Sequence, residues 1–238
     1  MQLIKRLLQA LLDLFKKKPV QEKPVEAPPI ASAIHRTKDI KGKRKRKLHP
    51  ALRKMIEDSL FKDGLPESFI KKDTGRMMHE VSMCLLSMEI RETDNNKGFK
   101  VGLIQSVIGE ETETGDGQPW CMSFVQNCVA FVEDYLQKES GLLDSEHCMS
   151  VLRHAKDNYL LIEKPKIGCI IVWEHGDSDK GHTGIVVELR GLTELATIEG
   201  NTGDRSFRDG DGVFLRNRSR YRDEDMIVRG FIDAFATL

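Results

Sequence analysis

From Gly168 onwards the chain is divided into short runs rich in Val, Ile and Phe: GCIIVWE, HTGIVVEL, LATIEG, GVFLRNRS and VRGFIDAF, separated by Gly and Asp. Runs of this length and composition form strands. The segments before them repeat their apolar residues at helical spacing instead. PALRKMIEDSLFKDG opens on a favourable proline at Pro50 and stops at Gly64. A second helix is predicted around Arg76 to Met88, and a third over Met122 to Leu136. On the third, Phe124, Cys128, Phe131 and Tyr135 share a face, with Val125, Val129 and Val132 beside them. Helices first and strands after them predict an α+β domain, with the N-terminal helices packed on an antiparallel sheet. No internal repeat is visible at a solenoid period.

The composition is different ahead of this domain. Residues 1–48 hold 14 Lys and Arg against 4 Asp and Glu, a net +10, so the rest of the neutral chain carries −10. Within 1–18, Leu3, Ile4, Leu7, Leu8, Leu11, Leu12, Leu14 and Phe15 fall on one helical face, beside Lys5, Arg6 and Lys16 to Lys18. Such a basic amphipathic helix either lies in an anionic membrane surface or docks on protein. Pro19 ends it, and residues 19–48 read as a Pro-rich and then basic linker. Its six basic residues within 41–47 form either a polyanion contact or a solubilising tail. Residues 49–75 are expected to be a helical connector and 76–238 the main domain. No stretch reaches the roughly 18 apolar residues of a membrane span. Gln9 and Asp13 interrupt the apolar core a secretory signal would need, so cytoplasmic synthesis without a clear signal peptide is expected.

Five cysteines, Cys84, Cys121, Cys128, Cys148 and Cys169, form an odd set with no CxxC pair. Reduced thiols in a reducing compartment are the expectation, and no zinc site is assigned. The acidic stretches DNNKG and DRSFRDGDG do not follow EF-hand spacing, so neither a metal nor any other cofactor is assigned.

One cysteine has an unusual address. GQPWCMSFVQNC puts Cys121 directly after Pro119 and Trp120 and within the opening turn of the third helix. Unpaired N–H groups and the helix dipole favour negative charge there and lower a thiol's pKa. Cys84 and Cys128 lie inside apolar helical faces, where an inert buried thiol is expected. Trp120 either walls a substrate groove or packs. The backbone N–H of Cys121 is a candidate oxyanion donor, with the Gln118 side chain a weaker one.

A thiol nucleophile needs a base, and the base needs an orienting acceptor. Of seven histidines, His35 and His49 lie in the leader, His79 and His154 on predicted helices, His147 near a helix start and His175 in a turn. His182 stands at the head of a strand, after Gly181. If 182–189 pairs with 195–199 as a hairpin, the end of the second strand lies opposite His182. Glu199 and Asn201 alternate onto one face, so both are eligible to orient the imidazole. Glutamine at position 199 is expected to be tolerated better than loss of His182, because an amide still accepts a hydrogen bond.

PWCMSFV, PKIGCIIVW, GHTGIVV and IEGN, in this order, resemble the CHAP domain, the cysteine, histidine-dependent amidohydrolase/peptidase family of the papain-like group. The resemblance extends over roughly residues 76–238, because EIRETDNNKG is similar to the segment preceding the cysteine helix in bacterial and phage members. It implies a papain-like fold and cleavage of amide bonds in peptidoglycan, by an endopeptidase or an N-acetylmuramoyl-L-alanine amidase. By the same resemblance Cys121 corresponds to the nucleophile, His182 to the base, Glu199 to its orienter and Asn201 to a further polar residue. Gly168-Cys169 stands where the family commonly has Gly-Asp, and Cys169 is read as a packing substitution. Alternatives are a papain-like thiol peptidase or transferase acting on another amide, or a non-catalytic protein binding membrane or nucleic acid through its basic leader. A wall hydrolase without a signal would stay at the membrane periphery or reach the wall through a holin, a secretion apparatus or lysis, which would fit a phage or prophage origin.

Overall fold

The computed structural model describes residues 46–62, 73–108, 114–176, 178–203, 210–223 and 225–236. The amphipathic helix expected within 1–18, the Pro-rich segment and most of the basic run lie outside the described residues.

Five helices occur among the described residues: α1 (Pro50–Phe61), α2 (Thr74–Ser87), α3 (Phe99–Gln105), α4 (Cys121–Leu136) and α5 (Cys148–Asp157). Pro50 opens α1, and the His49 side chain accepts a hydrogen bond from the Ala51 N–H at 3.1 Å. Leu52, Ile56 and Leu60 recur every fourth residue and are buried. Each contributes at most about 1.5–3 kcal/mol by leaving water. They join the principal core together with Met77, Val81 and Leu85 of α2. The segment read as a connector therefore belongs to the body of the domain.

The end of the basic run differs from expectation too. Arg46 is 3% exposed, and its guanidinium sits 3.0 Å from Glu133 and 2.7 Å from Asp144. It also donates to Gln126, Ser140 and the Leu142 carbonyl. Buried and saturated in this way, Arg46 anchors the chain and is closed to any polyanion.

α4 runs through the centre of the domain, and every residue from Cys121 to Glu133 is buried. Most polar groups of its buried side chains are satisfied internally, as burial requires, although Asn127 Oδ1 has no partner. Gln126 donates to the Leu143 and Ser145 carbonyls, Asn127 to the Ile104 and Ser123 carbonyls, and Ser123 to Glu146.

Seven strands follow: β1 (Leu161–Ile162), β2 (Ile170–His175), β3 (Gly181–Arg190), β4 (Glu194–Thr202), β5 (Gly212–Ser219), β6 (Arg222–Asp223) and β7 (Met226–Ile232). They form one sheet in the order β1-β7-β2-β3-β4-β5, with β6 beside β7, and every pairing is antiparallel. His175, expected in a turn, is the last residue of β2. Alternation divides the sheet into two faces. Ile170, Val172, Ile185 and Ile198 meet the helices, whereas Ile171, Trp173, Val186 and Leu195 form a second cluster with Cys169, Met226 and Phe231. This is an α+β domain, with its helices laid against one antiparallel sheet. No described helix is long and apolar enough to cross a membrane.

Candidate active site

The thiol and the sheet meet at one end of the domain. Trp120 caps α4 without a side-chain cap bond, and Cys121 is the first helical residue. Glycine at position 200 allows the approach: a β-carbon there would lie 2.6 Å from Phe124 Cβ and 2.8 Å from the Trp120 ring. The start of α4 therefore presses directly onto β4.

His182 and Glu199 come together through the register of β3 with β4. Ile185 pairs with Ile198, which places Gly184 opposite Glu199 and His182 on the diagonal. The Glu199 side chain lies over Gly184, where a β-carbon would be 2.6 Å from its Cγ. From there Glu199 Oε2 accepts from His182 Nε2 at 2.8 Å. The remaining ring nitrogen, Nδ1, is left for Cys121, whose pKa the neighbouring imidazole lowers. Trp173, directly across β2 from His182, stacks on the imidazole with centroids 5.7 Å apart.

The carboxylate is fixed by more than the histidine. Arg218 donates from Nε to Oε1 at 2.8 Å and from Nη2 to Oε2 at 2.7 Å, and Thr197 Oγ1 donates to Oε1. Arg218 also pairs with Asp223 at 2.9 Å and places its guanidinium 5.5 Å from the centre of the Trp173 ring. Asp223, Arg218, Glu199, His182 and Cys121 thus form a row of alternating charge, closed from solvent except at its ends.

The electrostatics follow from that row. The neighbouring Cys148 thiol, hydrogen-bonded to Cys121, holds the Cys121 pKa well below its ordinary value; burial opposes this, and the bond and charge of His182 add to it. Burial pushes His182 down, but its bonds to Cys121 and Glu199 prevail and raise it to about 9. Burial pushes Glu199 up, yet Arg218 and His182 hold it far below the carboxylate range. Both shifts favour the thiolate–imidazolium form of the pair.

The other cysteines are the reverse case. Burial raises Cys84 and Cys128, and takes Cys169 to about 12. Cys121 is accordingly expected to alkylate with iodoacetamide at pH 6.5 at least about tenfold faster than Cys84, Cys128 or Cys169, because thiolate is the reacting species. Peptide mass analysis over time measures this, and equal rates at the four thiols would remove the ion pair.

Two sequence expectations need correction. Asn201 does not face His182. The β4–β5 register shifts between Glu199 and Thr202, and Asn201 has φ +52°, so the alternation that would place it beside Glu199 is broken. Its Oδ1 accepts from the Trp120 N–H at 3.2 Å, and its Nδ2 donates to Glu92, Asn96 and the Gly210 carbonyl. Asn201 thus braces the start of α4 against the 92–96 turn. Trp120 is fully buried and donates to Glu92 at 2.8 Å, so it packs and walls no groove. Gln118 is exposed just before the helix, its carbonyl held by Gln105 at 2.8 Å.

Residues 113–201 match the family model of the CHAP domain. That segment is a CHAP domain. No curated protein matches the chain. Cys121, His182, Glu199 and Asn201 all fall inside the CHAP segment, and the activity its family carries is hydrolysis of the amidase or peptidase type. Two members of the site were not foreseen from the sequence. Arg218 lies beyond the CHAP match, and its only sequence signal is a charge at an inward-alternating position of GVFLRNRS. Cys148 gave no signal, because its nearness to Cys121 arises only where α5 meets β3.

Proposed function

We propose that this protein is a cysteine-dependent amide hydrolase of bacterial cell-wall peptidoglycan, an endopeptidase or N-acetylmuramoyl-L-alanine amidase. The observation that carries the reading is the single line of Cys121, His182 and Glu199, with the thiol at a helix N-terminus and the carboxylate 2.8 Å from imidazole. The peptidoglycan substrate comes from the CHAP resemblance.

In this mechanism the Cys121 thiolate attacks the amide carbonyl carbon and a tetrahedral oxyanion forms. The Cys121 backbone N–H and the exposed Gln118 side chain are its donors. Imidazolium at His182 gives its proton to the departing amine, leaving a thioester. Neutral His182 then takes a proton from water, which attacks the thioester and releases the carboxylic acid and the Cys121 thiolate, restoring the starting pair. Glu199, held by Arg218, keeps the ring oriented and stabilises its charged form. Substrate enters beside Cys121 and never contacts Glu199.

Purified protein incubated with peptidoglycan is expected to release soluble fragments, with Cys121→Ala as the blank. The masses and new termini of those fragments identify the bond. A new amino-sugar lactyl carboxylate indicates the amidase, and a new carboxylate and amine that both lie within the peptide indicate the endopeptidase. Cleavage of free peptides with peptidoglycan left intact would assign the chemistry to another amide substrate. Absence of any turnover would overturn the hydrolase reading.

A further inference from the structure

Cys148 lies 3.6 Å from Cys121, sulfur to sulfur, and both are buried. Cys148 is the first residue of α5, and Gly181 makes the approach possible. A β-carbon on Gly181 would come within 2.9 Å of Cys148 Cβ and 3.1 Å of the Met149 sulfur. The hydrolytic steps above make no use of a second thiol. Two free sulfurs in contact, one of them paired with an imidazole, form a unit that can exchange electrons as well as protons.

We propose that Cys121 and Cys148 form a reversible disulfide that closes the nucleophile when a hydroperoxide reaches the site. The Cys121 thiolate attacks the peroxide oxygen, so an S–O bond forms and the O–O bond breaks. The alcohol or water leaves with the His182 proton, and Cys121 is left as a sulfenic acid. The Cys148 sulfur then attacks Cys121: the S–S bond forms, the S–O bond breaks, and hydroxide departs with the Cys148 proton as water. The two sulfurs lose two electrons in total and the peroxide gains them. The order of steps has an electrostatic reason. The Cys121 thiolate, hydrogen-bonded to Cys148, raises the Cys148 pKa well above its ordinary value, with burial adding to this. A neutral sulfenic acid removes that restraint, so Cys148 becomes nucleophilic only after Cys121 has been oxidised. A thiol reductant reverses the closure by exchange.

The test uses the full chain and hydrogen peroxide, with tryptic mass analysis and iodoacetamide labelling of Cys121 as readouts. Cys121 and Cys148 fall on separate tryptic peptides, 101–138 and 139–153, and fragmentation separates Cys121 from Cys128. Oxidised wild-type protein is expected to yield these two peptides joined through Cys121 and Cys148. Its Cys121 labelling is expected to be lost and then fully regained with dithiothreitol. Cys148→Ser and Cys148→Ala are expected to give no link, with Cys121 passing to sulfinic acid and labelling not regained. If wild-type Cys121 reaches sulfinic acid as fast as in the two variants, or if the link joins other cysteines, the proposal is overturned. These readouts need no substrate, so they remain decisive even if peptidoglycan is not cleaved.

Discussion

Alanine at His182 is expected to lower turnover by a factor on the order of 10⁴ or more while the domain stays folded. In the proposed mechanism the imidazole does two things: with Cys148 it holds Cys121 as thiolate, and it alone delivers a proton to the leaving amine. General acid–base assistance alone is worth roughly 10²–10⁴, and loss of the thiolate adds to it. Stability is affected less, because Glu199 keeps both bonds from Arg218 and the one from Thr197. Residues that act as a unit are not additive, so Cys121→Ala with His182→Ala is expected to be no slower than either alone. The pH profile gives an independent check. His182 has its pKa raised to about 9, so the imidazolium needed for leaving-group protonation is present below that value. Turnover is therefore expected to fall as pH rises through about 9, with thiolate protonation limiting it on the acid side. Substantial turnover by a folded His182→Ala protein would displace His182 from the base position.

Arg218→Ala is expected to destabilise the domain by about 3–5 kcal/mol, because it leaves the Glu199 carboxylate buried without its guanidinium partner. For a chain of this size that corresponds to a fall in Tm on the order of 10 °C. Arg218→Lys restores the charge but not the two-pronged contact, so most of the loss remains. The same geometry revises the expectation for Glu199→Gln. Each carboxylate oxygen accepts from Arg218, so either orientation of an amide turns its NH₂ against a guanidinium N–H. Glutamine is thus expected to cost both stability and activity. The sign of the acid response follows from Glu199, whose folded pKa is depressed. Its stabilisation is present above the ordinary carboxylate value of 4.5 and is lost as pH falls towards the folded value. Thermal melts of wild type and Arg218→Ala from neutral to acid pH measure both effects. A Tm for Arg218→Ala within a degree or two of wild type would mean that the carboxylate is hydrated and the row of charges is open.

Much of the site could be read from residue order because its signals are local. Pro119, Trp120 and the apolar face after them mark a helix start, and a thiol at a helix start has a physical meaning of its own. His182 after Gly181 at the head of an apolar run, and Glu199 at the end of the next, needed only one hairpin to bring them together. That hairpin formed, with Ile185 paired to Ile198 and a bulge between Val186 and Glu188. The expectation failed at Asn201 because strict alternation assumes an unbroken strand, and one bulge with a left-handed backbone turned the side chain away. It left Trp120 open between groove and core because a tryptophan beside a nucleophile reads the same whether it faces solvent or a buried glutamate.

The sequence by itself determined the α+β class, the order of helices and strands, and the candidate thiol and imidazole, with Glu199 and Asn201 both left open as the orienter. Those follow from periodicity, capping chemistry and the small spacings between neighbouring elements. Only the tertiary structure decided what surrounds them: Arg46 buried against Glu133 and Asp144, Arg218 clamped on Glu199, and Cys148 in contact with Cys121. These contacts join residues 87, 19 and 27 positions apart, respectively. Contact at such separations depends on how the chain packs, and the identity of one residue carries no record of which distant partner will neutralise it or touch it.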